Sequence, residues 1–106
     1  ECLKMIKPSF ECKENHNYVL SGILSVDTVP ALWQQSQDIL KLSKGSLLTF
    51  NLEHVTQSDS SGVALLISWT RMLNRRDQKI CFVCLPSQML AIIQVSDLER
   101  ILPIKI

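Results

Sequence analysis

The chemistry in this chain concentrates in one stretch, Thr56-Gln57-Ser58-Asp59-Ser60-Ser61-Gly62, where four hydroxyls and a carboxylate precede an uninterrupted amphipathic run. A helix start leaves about four backbone N–H groups without partners, and Asp and Ser are preferred acceptors there. A phosphate on Ser60 would also meet the positive end of the helix dipole. Two readings stand on these residues: a helix cap, and a seat for a phosphate on Ser60.

Other reactive residues lead to less. His54, Asp59 and Ser60 are the residue types of a hydrolytic triad, but no Gly-x-Ser-x-Gly elbow accompanies them, and no enzymatic activity is expected. Cys81 and Cys84 have the spacing of a metal or redox pair. Within a strand, however, residues three apart face opposite sides, so buried thiols and no metal are expected. No Gly-x-x-x-x-Gly-Lys-Ser/Thr loop is present, and neither a nucleotide site nor a cofactor is expected. Arg71, Arg75 and Arg76 gather where cations suit the negative end of a helix.

The elements that must position the Asp59 region follow from periodicity. Short apolar runs from Met5 to Leu24 flank the polar Lys13–Asn17 and predict a hairpin. Asp27 or Thr28 can cap a helix that accepts Pro30 in its first turn, carries Val29, Leu32, Trp33, Ser36 and Leu40 at helical spacing, and closes at Lys44-Gly45. Leu47–Leu52 reads as a buried strand, and 53–58 as a polar loop. Ser61–Arg75 is the clearest helix. Leu65, Leu66, Trp69, Met72 and Leu73 form its inward stripe, leaving Ser60, Ala64, Ile67, Arg71 and Asn74 outward with Val63 nearby. Aliphatic Val63 and Ile67 on that side fit a protein-binding patch. Ile80–Leu85, apolar throughout, predicts a central strand covered on both faces, after which Pro86-Ser87 stops it and caps a helix through Val95. The chain then ends in a helical turn and Pro103. Strands alternating with helices in the later part predict a mostly parallel sheet with a hairpin at its edge. Trp33 and Trp69 read as packing residues.

Composition bounds the partner. With 46% hydrophobic residues and only 3 Gly and 4 Pro in 106 residues, the chain is of globular type and fits one domain, 1–106. Lys and Arg total 11 against 10 Asp and Glu, so no overall field draws nucleic acid or an anionic membrane, and recognition must be local. The longest charge-free stretch, Ile80–Ser96, is too short and too polar to span a bilayer. No secretory signal is visible at Glu1–Met5, and four scattered cysteines do not make a secreted disulfide scaffold, so a cytoplasmic location is expected.

Phe50 to Ile67 resembles the signature of STAS domains, in which a strand leads through a polar loop to Asp-Ser/Thr-x-Gly at a helix start. Leu20-Ser21-Gly22 with Leu24 resembles the family's early strand, and Ser87 to Pro103 its last helix and closing segment, with Asp97 where many members carry glycine. The resemblance implies an α/β, STAS-like mixed sheet of four to five strands with an N-terminal hairpin and three to four helices. It implies that Ser60 is the partner-contact or phosphorylated hydroxyl. Ser58, Asp59, Ser61 and Gly62 would form the switch loop, Asp59 fixing it and Gly62 permitting close backbone approach. Val63, Ala64, Ile67 and Arg71 would be the partner-binding helix face.

Two branches of the family resemble the chain. Pro30-Ala31-Leu32-Trp33 and Gly62-Val63-Ala64-Leu65-Leu66 are closer to the MlaB branch, whose members bind the ATPase of an ABC complex that moves phospholipid between membranes and maintains outer-membrane lipid asymmetry. Such a chain would meet the inner membrane only through its partner. In anti-sigma factor antagonists, the other branch, a partner kinase phosphorylates the hydroxyl after the Asp. Gly22-Ile23-Leu24-Ser25 departs from the Gly-x-Leu/Ile-Asp of many antagonists, and Ser60 from the threonine more frequent in MlaB. A small ligand- or lipid-binding module is a third class, with no polar pocket signature in this sequence.

Overall fold

The structure, a computed structural model, describes residues 8–14, 16–43 and 45–105, so Cys2, Met5 and Lys44, which figure in the expectations above, lie outside it. In chain order the elements are β1 (Ser9–Glu14), β2 (Asn17–Leu24), α1 (Val29–Leu40), β3 (Leu47–Ser58), α2 (Ser60–Arg75), β4 (Lys79–Val83), α3 (Ser87–Val95) and β5 (Ile104–Lys105). The five strands form one sheet in the order β1-β2-β3-β4-β5. β1 and β2 are the expected antiparallel hairpin, and every later pairing is parallel.

This strand order places the helices. Each crossover from β2 onward moves one strand further in the same direction, and parallel crossovers are right-handed. Successive right-handed steps in one direction put α1, α2 and α3 on the same face of the sheet. The expectation that β4 is covered on both faces is therefore corrected: Ile80 and Phe82 are buried, whereas Cys81 and Val83, pointing the other way, are only half-buried. The expectation of buried thiols is corrected too, since neither is buried. Cys84 is exposed, one residue past the strand and in the left-handed region at φ 58°, so it does not continue the strand's alternation.

The core lies between sheet and helices and is organised on an aromatic row. Tyr18, Phe50 and Phe82 are direct cross-strand partners on β2, β3 and β4. Trp69 from α2 meets Phe50 edge-on at 4.9 Å between ring centroids, and Phe10 stacks on Tyr18 at 5.3 Å. Such pairs add about 0.5–1.5 kcal/mol each beyond the area they bury. The fully buried Trp69 donates its indole N–H to Ser36 Oγ (2.9 Å), and Ser36 Oγ donates to the Trp33 carbonyl (2.8 Å), so one polar relay ties α1 to α2.

Several boundaries differ from expectation. The polar stretch 53–58 is not a loop: β3 runs twelve residues to Ser58. Between the pairs Asn17↔Thr49 and Leu24↔Ser58, β3 carries two more residues than β2, accommodated at irregularities after Val19 and Gly22. Gly22 takes φ 96° there, a conformation that costs glycine little. The extra residues put Glu53-His54 and Thr56-Gln57 outward in pairs, which breaks the alternation that marks a strand. α1 ends at Leu40, before Lys44-Gly45. Thr28 holds its cap position, but the hydroxyl donates to Ile23 O (2.7 Å) and accepts from Ser25 N (2.9 Å), closing the turn from β2 instead of capping. Pro86, not Ser87, occupies the cap position of α3. The last turn, expected from Leu98 onward, leads into a fifth strand at Ile104. Asp97 adopts φ 56° after α3, and the Leu98 N–H donates to Ile93 O (3.0 Å), so the aspartate fills the left-handed position that ends the helix.

Candidate functional site

The site is built at the carboxyl end of β3, where only Asp59 separates strand from helix. Asp59 caps α2: its carboxylate accepts from Ser61 N–H at 2.8 Å, and its carbonyl accepts from Gly62 N–H at 3.1 Å. The junction is pinned to the neighbouring strand, because Asp59 N–H donates to Leu24 O at 3.1 Å. Ser58 is buried. Its N–H donates to Gln88 Oε1 (2.9 Å), and its hydroxyl to the Asp59 carbonyl (3.0 Å). Ser58 thus belongs to the end of β3, while Asp59, Ser60 and Ser61 form the presented part.

Gly62 permits a close approach, as the resemblance implies. A Cβ at this position would lie 2.1 Å from Ser58 Oγ and 3.0 Å from Leu24 Cβ, so the first turn of α2 rests directly on the ends of β2 and β3. Rigid anchoring leaves Ser60 exposed at the first helical position, and its hydroxyl makes no hydrogen bond among the described residues. Two of the N–H donors that a phosphate on Ser60 would seek are already used by Asp59.

Not every residue of the expected face is presented. Ala64 and Arg71 are exposed, and Ile67 is half-buried against the core. Val63 is corrected: it is 2% exposed and belongs to the core. The reason is lateral. α2 is the middle helix of the layer, with α1 on one side and α3 on the other. Val63 and Thr70, two turns apart on one flank, are both buried, while Ser68 and Met72 on the other flank line a groove with Trp33 of α1. The buried flank is therefore the one beneath α3, and the open stripe is rotated toward α1. It runs Ser60, Ala64, Ser68 and Arg71.

Sequence reasoning missed Ser68 and Gln88. A helical projection at about 100° per residue already sets Ser68 beside Ala64 and Arg71, but judging the core stripe in isolation left it out. Gln88 carried no signal, since its role depends on α3 packing beside the end of β3. Cys81, Cys84 and His54 do not join this cluster. Among the described residues no group of three His, Cys, Asp or Glu side chains is arranged to hold a metal ion.

Comparison with known proteins bears on the family and the fold. A family model described as the MlaB-type STAS domain matches residues 15–103. A comparison with curated proteins gave no match. Among solved structures, the anti-sigma factor antagonist SpoIIAA in its unphosphorylated form superposes with a TM-score of 0.71 at 18% identity, over 92% of this chain and 85% of that one. An anti-sigma factor antagonist from Mycobacterium paratuberculosis gives 0.73 at 21% identity, over 92% and 83%. At these identities the likeness is one of fold, and it covers the five-stranded sheet and the helices on it.

Proposed function

The chain belongs to the STAS family, whose domains are generally non-enzymatic and interact with partner proteins, and on that premise we propose that residues 1–106 form one STAS domain that binds and regulates the ATPase subunit of an ABC complex transporting phospholipid between membranes. Docking occurs through the start of α2. The observation that carries the reading is the MlaB-type match over a chain whose capped, strand-anchored helix start presents Ser60 to solvent. Ala64 and Arg71 extend the contact, and Gly62 and Ser58 hold it in place. The role is positional: a rigid helix end set against the ATPase stabilises one of its conformations. In this reading the chain meets the membrane only through the complex, at the cytoplasmic face. Among the described residues no helix is long and apolar enough to cross a membrane.

The test is calorimetric titration of the chain into the purified ATPase subunit of such a complex, with ATP turnover measured in parallel. Ala64→Glu, at an exposed position, should weaken binding about tenfold or more by setting a charge into a desolvated contact. Ser60→Asp should act in the same direction. If the wild-type chain neither binds nor alters turnover, the reading fails. One observation favours a second reading, an anti-sigma factor antagonist: Ser60 is exposed directly after the capping aspartate, on a fold shared with SpoIIAA. Incubation with an anti-sigma serine kinase and ATP, followed by mass mapping, would then place a phosphate on Ser60.

A further inference from the structure

Along the outer surface of the helix layer, α1 and α2 leave a continuous furrow whose two halves meet at Gln37 and Met72. The half toward the sheet's hairpin has a volume of about 570 Å3 and is bordered by Asp38, Lys41 and Arg76. The other half, about 340 Å3, is bordered by Ser68, Arg71 and Arg75 and floored by the half-buried Trp33 and Met72. Four cations thus face one carboxylate. None of the four makes an ion pair among the described residues, where the only pairs are Lys13–Glu11 and Arg100–Asp97. The side-chain Nε2 of Gln37, between the two halves, is buried with no acceptor.

The helix ends account for part of this charge. Both helices follow parallel strands, so their carboxyl ends lie together, each worth roughly −0.5 of an elementary charge. With Asp38, these helix ends offset about two of the four cations, and Arg71 stands a full turn before the end of α2, where the dipole effect has faded. A net positive furrow with an apolar floor remains.

We propose that this furrow receives an acidic amphipathic segment of a partner protein, with an apolar side chain laid on Trp33 and Met72 and carboxylates against Arg71 and Arg75. Nucleic acid or lipid headgroups would use the cations but leave the floor uncovered. A protein segment with acidic and apolar residues on one face satisfies both, and offers Gln37 an acceptor. The furrow shares Ser68 and Arg71 with the docking stripe, but its floor and its occupant are separate from the contact at the helix start, residues 59–64.

The test follows amide chemical shifts of the isotope-labelled chain during titration with a synthetic helix of about four turns that carries a Leu stripe flanked by Glu on the same face. A companion peptide carries Lys in place of Glu. The acidic peptide should shift Gln37, Ser68 and Arg75. The double variant Arg71→Glu/Arg75→Glu should weaken it about tenfold or more, since each exposed attraction becomes a repulsion. The charge-matched Lys79→Glu/Arg100→Glu should bind as wild type, and the lysine peptide should not bind. No binding of the acidic peptide at about 1 mM, equal binding by the lysine peptide, or indifference to the double variant overturns the proposal. Tighter binding at the furrow by phosphatidylglycerol vesicles or by a single-stranded oligonucleotide overturns it in favour of that class. Shifts confined to 59–64 refute the furrow and leave the docking helix standing.

Discussion

Replacing Gly62 with alanine tests how the candidate site is held. A single methyl at this position meets two obstacles of different stiffness. Ser58 Oγ, at 2.1 Å, can rotate away, but doing so gives up its 3.0 Å hydrogen bond to the Asp59 carbonyl in a buried setting. Leu24 Cβ, at 3.0 Å, is fixed by the backbone of β2, whose carbonyl also anchors Asp59. Relief there requires the first turn of α2 to lift by several tenths of an ångström. Overpacking of this kind costs about 1–3 kcal/mol, and the lost or strained hydrogen bond adds about 1 kcal/mol. Against this, alanine is favoured over glycine within a helix by about 1 kcal/mol. The expected net loss is about 1–3 kcal/mol, or roughly 4–20 °C in Tm for a domain of this size. Urea and thermal unfolding followed by circular dichroism measure it. Gly62→Ala/Ser58→Ala removes the first obstacle but not the second, so it should recover part of the loss. A Gly62→Ala variant as stable as wild type would falsify the claim that helix and strand ends are in contact at this residue.

Other consequences follow from particular contacts. Ser36→Ala leaves the Trp69 indole N–H buried without its acceptor and should cost about 1–3 kcal/mol in urea unfolding, with a change in tryptophan emission. Asp97→Gly relieves a left-handed aspartate at the end of α3 and should stabilise by about 0.5–1 kcal/mol, read as a higher Tm; no change would mean that the aspartate pays nothing for its backbone angle. Tyr18 has its phenol raised above the ordinary 10.0 by burial first and then by neighbouring Cys12. The folded state therefore holds this proton more tightly than the unfolded state does. Its stabilising contribution is complete below about pH 10 and is lost as pH rises through the folded value. Urea midpoints measured from about pH 8 upward should fall on the alkaline side, and Tyr18→Phe should blunt the fall.

Legibility in the sequence was uneven for physical reasons. Elements governed by their own periodicity were readable: the Leu65, Leu66, Trp69 and Leu73 stripe of α2 is buried as its spacing implies, and the hairpin and the parallel pairing also follow the pattern. The carboxyl half of β3 was not readable, because two inserted residues destroy the alternation that a strand shows when its partner keeps pace. Cys81 and Val83 read as core because an apolar run does not say how many faces are covered; that depends on the handedness of three successive crossovers.

The Asp59–Gly62 segment shows the same division within one motif. By itself the sequence determined that an aspartate precedes a helix with a hydroxyl at its first position, since capping is local chemistry between a side chain and the N–H groups two or three residues on. It also determined that a glycine follows. Tertiary structure decided what the glycine is for, because Leu24 and Ser58 reach it only after β2 and β3 align. It decided too that Val63 is inside while Ser68 faces out, because a helix in the middle of a layer has two neighbours, and only their placement tells which flank each one hides.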